Sequence, residues 1–126
     1  MRLWGIAARY CAAVAFALMG FAVHAPADAA GAFAVGKCGA YGQAFDYATS
    51  KAAVAAAREK CTGKCETVTM SRSCAALSID MTNPCGAHGY AVAPRISTSL
   101  NNATRKCYEF GGKECVIRAW ACDARG

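Results

Sequence analysis

A nine-residue segment that occurs twice, in altered form, constrains the fold of this chain more than any other feature. Residues 37–45 read KCGAYGQAF and residues 84–92 read PCGAHGYAV, forty-seven positions apart in a chain of 126 residues. Aligning the two segments brings the remaining sequence into register and predicts two copies of one unit, at about residues 32–73 and 74–122. One copy alone would expose an apolar sheet face and an apolar helix stripe, which a second copy can cover.

Each copy contains a predicted helix. The alanine-rich segment KAAVAAAREKC has Thr49 and Ser50 as candidate N-caps, and LNNATRKCYEF has the serine and threonine side chains of residues 97–99, with Gly111 and Gly112 after its end. Apolar residues recur at helical spacing and predict an inward stripe in each helix. The stripe of the first helix contains Val54, Ala57 and Cys61, and that of the second contains Leu100, Ala103, Cys107 and Phe110.

Strands are predicted on both sides of each helix. The repeated segment enters one strand, and a returning strand follows the helix in KCETVTM (64–70) and in ECVIRAW (114–120). CAALSIDM (74–81) alternates in the manner of a half-buried strand, and AFAVG (32–36) is its counterpart in the first copy. The prediction is an α+β domain, an internally duplicated strand–helix–strand unit with two helices on a mixed or antiparallel sheet.

The first 29 residues have the pattern of a signal peptide. Arg2 and Arg9 provide positive charge, residues 11–23 form an apolar run of thirteen residues, and Ala27, Asp28 and Ala29 match a small-x-small cleavage site. Thirteen apolar residues fall short of the roughly 20 that a membrane-spanning helix needs. We therefore expect cleavage after Ala29 and a single domain at residues 30–126, periplasmic or secreted and without a stable membrane anchor.

Eight cysteines remain after this cleavage, and their number is even. An even set behind an export signal predicts a disulfide framework in an oxidising compartment, with 105 conceivable pairings. The repeat register suggests that two bridges staple a helix end to the next strand and that two bridges tie copy to copy. The helix-end pairs are Cys61 with Cys65 and Cys107 with Cys115, and the copy-to-copy pairs are Cys74 with Cys122 and Cys38 with Cys85.

Zinc is the alternative use of these cysteines. The CxxxC spacing of Cys61 and Cys65 is close to that of zinc ligands, but a second closely spaced pair is missing and His88 is distant in sequence. The disulfide framework is therefore preferred, and neither a metal nor a cofactor is predicted.

Charge argues against nucleic acid as a partner. The segment from residue 30 onward retains twelve of the 14 basic and seven of the 8 acidic residues, which leaves a net charge of +5. The basic residues are scattered between Lys37 and Arg125, whereas a nucleic-acid footprint would concentrate them on one element.

The order of these motifs resembles a known family. GAYGQAF, TSKAAVAAAREKC and KCETVTMSRSCAALSID, followed by CGAHGYAV, NNATRKC and GGKECVIRAWAC, are similar to the bacterial domain-of-unknown-function family numbered 4189. The resemblance covers about residues 33–122. It implies a small exported bacterial domain of α+β type, and it carries no activity and no catalytic residues.

Catalytic groups do not stand out among the remaining residues. An enzyme needs a nucleophile, a base and a stabilising group, and His88 occupies the repeat position that Tyr41 holds in the first copy. Matched tyrosine and histidine side chains indicate packing, a hydrogen bond or a surface site rather than catalysis. Four further aromatic residues, Tyr47, Tyr90, Tyr108 and Trp120, are candidates for a partner-binding face, because aromatic residues dominate interface energetics. In a domain of this size most of them are expected to lie in the core instead.

Two function classes follow from these observations. The first is an exported, disulfide-stabilised binding module without enzymatic activity, with a protein or another envelope component as its partner. The alternative is a small exported hydrolase that acts on envelope or host polymers. Rigidity from disulfides and the lack of a catalytic motif favour the binding module.

Overall fold

The computed structural model describes residues 30–123, and the predicted signal peptide lies outside them. Within this range the chain forms six strands and two α-helices. In chain order these are β1 (Ala30–Val35), β2 (Tyr41–Tyr47), α1 (Ser50–Lys60), β3 (Glu66–Met70), β4 (Cys74–Asp80), β5 (His88–Ala93), α2 (Ile96–Glu109) and β6 (Cys115–Cys122).

The strands form two separate three-stranded sheets with the same internal order. One sheet runs β2-β1-β3 and the other β5-β4-β6, and every strand pair in them is antiparallel. In each half the first strand is central, the helix connects the two outer strands, and the element order is the same. The predicted α+β class is confirmed, with two antiparallel sheets in place of the one sheet expected.

The two sheets and two helices stack in four layers. Alanine side chains of α1, β1 and β2 form one apolar cluster, and Ala76, Ala91 and Ala103 form the matching cluster between α2 and the second sheet. Between the sheets lies a third cluster with larger side chains, in which Phe33 and Leu77 are almost fully buried. The sheets therefore pack face to face, and each helix covers the outer face of its own sheet.

Strand β4 is buried on both faces, and the prediction of a half-buried strand is wrong. All seven residues of β4 are buried, including Ser78 and Asp80. Leu77 and Ile79 face the first sheet, whereas Ala76 packs beneath α2. Alternating polarity predicted one solvated face, but the second helix covers that face.

The second glycine of the repeated motif allows each helix to lie directly on a strand. A β-carbon at Gly42 would overlap the carbonyl oxygen of Ala57 in α1, and a β-carbon at Gly89 would overlap that of Ala103 in α2. Gly42 and Gly89 occupy equivalent positions in the repeat. The shared glycine therefore serves the close backbone approach that was one of its two predicted uses.

The helix N-termini agree with the prediction in one half only. The hydroxyl of Thr49 accepts a hydrogen bond from the Ala52 backbone N–H at 3.1 Å and caps α1 as predicted. Helix α2 begins earlier than predicted, at Ile96, and its N-cap residue Arg95 makes no side-chain cap. Ser99 is fully buried, and its hydroxyl donates to the Cys74 carbonyl at 2.6 Å, so it joins α2 to β4.

Within residues 30–123, four disulfides join the eight cysteines in the pairs that the repeat register suggested. They are Cys38–Cys85, Cys61–Cys65, Cys74–Cys122 and Cys107–Cys115. Two of these bridges, Cys107–Cys115 and Cys61–Cys65, connect a helix end to the following strand, as expected. Such a framework indicates an oxidising environment.

The expectation that two bridges connect the halves is wrong for one of them. Cys74 and Cys122 are directly opposed on the neighbouring strands β4 and β6, so their bridge lies within the second sheet. Cys38–Cys85 connects the short 3-10 turn after β1 to the segment before β5 and joins the two halves. Between residues 30 and 123, neither helix combines the length and the apolarity that crossing a membrane requires.

Candidate functional site

A cleft of about 470 Å³ runs along strand β5 of the second sheet. Its lining consists of five consecutive residues, 86–90, together with Glu66 of β3 and Phe110 at the end of α2. Both sheets and one helix therefore contribute to it. Most of the lining surface is apolar, and one carboxylate lies at its side, which is typical of a binding cleft with a few polar groups.

The backbone of β5 lines this cleft. Because β5 is an edge strand of its sheet, one side of its backbone has no neighbouring strand in that sheet. The carbonyl of Ala87 accepts a hydrogen bond from the Asp80 backbone N–H at 3.2 Å, so it faces the central strand β4. The carbonyl of Tyr90 accepts from the Lys106 ammonium at 3.3 Å and faces outward. Polar groups of successive residues alternate between the two sides of a strand. The N–H and C=O groups of His88 and Tyr90 consequently face away from β4.

A tyrosine–carboxylate pair lies on the side of the cleft that faces the first sheet. The Tyr90 hydroxyl donates a hydrogen bond to Glu66 Oε2 at 2.9 Å, which connects β5 to β3. The hydrogen bond to Glu66, followed by partial burial and the negative charge of Glu66, raises the pKa of Tyr90. Tyr90 therefore remains a hydrogen-bond donor at neutral pH, and it holds the Glu66 carboxylate in a defined position.

Phe110 lies on the opposite side of the cleft and is 71% exposed. It belongs to a segment that differs in length between the halves, because three residues separate Cys61 from Cys65 and seven separate Cys107 from Cys115. The additional residues extend α2 beyond its disulfide cysteine and place Phe110 beside β5. The prediction that Phe110 continues the buried stripe of α2 is wrong, because the stripe leaves the sheet after Cys107.

The two residues of the predicted surface site have different surroundings. His88 lines the cleft, and its Nδ1 lies 3.5 Å from the carbonyl oxygen of Gly86. Tyr41 belongs to the layer between the sheets, where its ring stacks on Phe33 at 6.2 Å between centroids. The Arg118 guanidinium lies over the Tyr41 ring, 5.4 Å from its centroid. His88 therefore lines the cleft, whereas Tyr41 supports the packing of the two sheets.

Two of the four aromatic residues, most of which were expected in the core, are exposed. Trp120 is 56% exposed and Tyr108 49%. Trp120 lies on the edge strand β6, opposite Ala76 of β4. The Tyr108 hydroxyl accepts a hydrogen bond from the Cys115 backbone N–H at 3.3 Å. Tyr47 and Tyr90 are partly buried against the apolar clusters, which agrees with the prediction.

A buried carboxylate organises the loops at one end of the second sheet. Asp80 is 4% exposed and accepts hydrogen bonds from the backbone N–H groups of Thr82, Lys113 and Glu114 and from the Thr82 hydroxyl, at 2.8 to 3.2 Å. Burial raises the pKa of Asp80, but the hydrogen bonds from Thr82, Lys113 and Glu114 outweigh it, and the net pKa lies below the usual value. Asp80 stabilises the loop before β6 and does not reach the cleft lining.

The cysteines of the zinc alternative are bonded to each other. Cys61 and Cys65 form a disulfide, so neither supplies a thiolate ligand in this state. In the described part of the chain, histidine, cysteine and acidic side chains do not gather in groups of three that could hold a metal ion.

The sequence indicated His88 as a surface site and Tyr90 as one of four aromatic candidates for a partner-binding face, but it did not indicate Glu66 or Phe110 as cleft residues. The unequal spacing of the two cysteine pairs was the available indication for Phe110, because it marks the place where the two aligned segments differ in length. The pairing of Glu66 with Tyr90 had no such indication, since it joins residues 24 positions apart in different sheets.

Comparison with known proteins identifies the family of this chain. The family described as "Domain of unknown function (DUF4189)" matches residues 30–122, which include every strand and helix of the fold. Neither the curated proteins nor the solved structures contain a match. The chain therefore belongs to the DUF4189 family.

Proposed function

We propose that this protein is an exported, disulfide-stabilised binding module whose ligand site is the cleft along β5. A protein or another envelope component is its partner, and a cleaved signal peptide delivers it to the periplasm or the cell exterior. The thirteen-residue apolar run before the domain and four disulfides within it support export.

The exposure of Phe110 is the observation that carries this proposal. A side chain of this size buries 150–250 Å² in a protein core, and leaving it exposed forgoes that stabilisation. Here the aromatic ring borders a concave surface that also contains a carboxylate and an unpaired strand edge. Exposed aromatic groups at the rim of a cleft are typical of recognition sites.

The second half differs from the first at the residues that form this cleft. Tyr90 stands at the position of Gln43, His88 at that of Tyr41, and Phe110 belongs to the additional four residues of the longer linker. In contrast, the helix-packing glycines and the helix-end disulfides are the same in both halves. The framework is thus retained while the surface beside β5 differs, as expected when one half acquires a binding role.

A truncation of Phe110 tests the proposal. We expect Phe110→Ala to weaken retention of bound material from periplasmic or culture-fluid extract at least tenfold, since truncation of an anchoring aromatic residue costs about 2 kcal/mol or more. Trp120→Ala is the matched control because Trp120 is also exposed and lies on another strand, away from the cleft lining. The measurement is quantitative mass spectrometry of material bound to the immobilised oxidised protein.

Equal retention by the wild-type protein and both variants would contradict a ligand site at this cleft, and so would a loss in Trp120→Ala alone. Thermal unfolding of both variants verifies that the fold is intact. The hydrolase alternative stays a prediction that these observations do not test.

A further inference from the structure

We infer that the ligand of this cleft is an extended polypeptide that adds to the edge of β5, with alternating basic and apolar side chains. This inference rests on the proposed function and specifies the chemistry of the partner. Two features of the cleft support it: the direction of the β5 backbone groups, and the chemical difference between its two sides, which carry Glu66 and Phe110.

The first feature is the unpaired edge of β5. Ala87 faces β4 through its carbonyl, and the alternation along the strand directs the polar backbone groups of His88 and Tyr90 into the cleft. A peptide in β-conformation can pair with these groups and extend the second sheet by one strand.

The second feature is that the two sides of the cleft differ chemically. Glu66, held by the Tyr90 hydroxyl, lies toward the first sheet, and Phe110 lies at the end of α2, on the other face of the second sheet. Successive side chains of an added strand would point alternately to these two sides. A basic side chain directed at Glu66 would gain charge complementarity, and the next side chain, if apolar, would cover the exposed ring of Phe110.

The Lys106 ammonium competes with strand addition, because it donates a hydrogen bond to the outward carbonyl of Tyr90 at 3.3 Å. The equivalent lysine of the first half, Lys60, binds the Gln43 carbonyl on β2 at 3.0 Å. Charged side chains and covering helices protect edge strands against uncontrolled strand pairing, and here each lysine reaches the edge strand from the helix beside it. A peptide strand can pair with the Tyr90 carbonyl only after the Lys106 ammonium has moved away from it. Removal of this ammonium should therefore tighten peptide binding.

The test uses blocked seven-residue peptides and the oxidised protein containing residues 30–126. The probe peptide alternates lysine and valine, and its two controls replace lysine by glutamate or carry N-methyl groups on alternate amides. We expect the lysine–valine peptide to bind and to shift the amide resonances of His88 and Tyr90 in NMR spectra. N-methylation should weaken binding about tenfold through loss of backbone hydrogen bonds.

Variants of the protein test the chemical polarity of the cleft. Glu66→Gln should weaken binding of the lysine–valine peptide about fivefold, whereas Glu59→Gln, on the exposed face of α1, should leave it unchanged. Glu66→Lys should reverse the preference toward the glutamate–valine peptide, and Lys106→Met should strengthen binding of the lysine–valine peptide about threefold.

Equal affinity for the N-methylated and unmodified peptides would overturn strand addition and leave a site for cationic side chains. If none of the peptides binds at millimolar concentration, the inference is also overturned. In either case, loss of extract-derived ligand in Phe110→Ala but not in Trp120→Ala would still support the binding function, so the two proposals fail separately.

Discussion

Asp80 shows how a single residue controls the end of the second sheet. Its carboxylate is buried and receives hydrogen bonds from two segments, the turn after β4 and the loop before β6. The equivalent end of the first sheet has Gly36, which packs against the sulfur atoms of the Cys61–Cys65 disulfide. A polar network in one half thus occupies the place of close disulfide packing in the other.

The lowered pKa of Asp80 predicts a pH-dependent stability. Because the folded-state pKa lies below the unfolded value near 4, the contribution of Asp80 is fully present above about pH 4 and is lost as the pH falls through the folded-state pKa. We expect Asp80→Asn to unfold at lower denaturant concentration at pH 7 and to show a flatter loss of stability below pH 4. Chemical denaturation at several pH values measures both effects.

Thr82 provides a second variant for this network. Thr82→Ala removes the hydroxyl donor to Asp80 and should move the acid-induced loss to higher pH, whereas Thr82→Ser retains the donor and should resemble the wild type. Identical acid profiles for Thr82→Ala and Thr82→Ser would show that the hydroxyl does not hold the carboxylate.

Helix α2 differs from its predicted form at the N-terminus, and Ser99 is the reason for this difference. The residues 97–99 looked like caps, because serine and threonine often cap helices. Ser99 instead lies on the buried face of the helix, where its hydroxyl reaches the first carbonyl of β4. The tertiary contact with β4 satisfies this side chain, and the helix starts upstream of it.

Substitution of the two serines distinguishes these roles. Ser99→Ala should lower the free energy of unfolding by about 1 kcal/mol, because a buried hydrogen bond is lost. Ser97→Ala, at an exposed position inside the helix, should change it by less than about 0.5 kcal/mol. Denaturant unfolding of both variants measures the difference. A loss of about 1 kcal/mol in Ser97→Ala with none in Ser99→Ala would restore the capping interpretation.

At the scale of the whole molecule, the disulfides close loops of very different length. Cys74–Cys122 joins residues 48 positions apart, whereas Cys61–Cys65 joins residues four positions apart. In the chain-entropy description, a longer loop restricts the unfolded chain more. The bridge within the second sheet should therefore contribute more stability than the bridge at the end of α1.

Paired removal of cysteines tests this expectation. The double variant Cys74→Ala with Cys122→Ala should lose about 4 kcal/mol, and Cys61→Ala with Cys65→Ala about 2 kcal/mol. Guanidinium denaturation of the otherwise oxidised proteins provides the values. Equal losses would indicate that native packing, such as that of Gly36 against the shorter bridge, outweighs the loop-length effect.

The sequence alone determined the features that depend on neighbours along the chain. Alanine-rich and alternating stretches predicted both helices and the strands, because helical and strand periods are local properties. The repeat register predicted the four cysteine pairs, since matched positions in two copies of a unit have matched neighbours. The family resemblance predicted the same α+β class; the family match confirms the family, and the helices and sheets of the structure confirm the class.

Only the tertiary structure decided which faces are covered and where the cleft lies. The burial of Ala76 depends on α2, that of Asp80 depends on the loop before β6, and the exposure of Phe110 depends on the point at which α2 leaves its sheet. Glu66 and Tyr90 meet because two separate sheets pack face to face. The pattern of polar and apolar residues along a strand or helix shows that its two faces differ. Which element covers each face is decided by residues distant in sequence. The candidate site is formed by such long-range contacts, so the sequence pattern alone could not locate it.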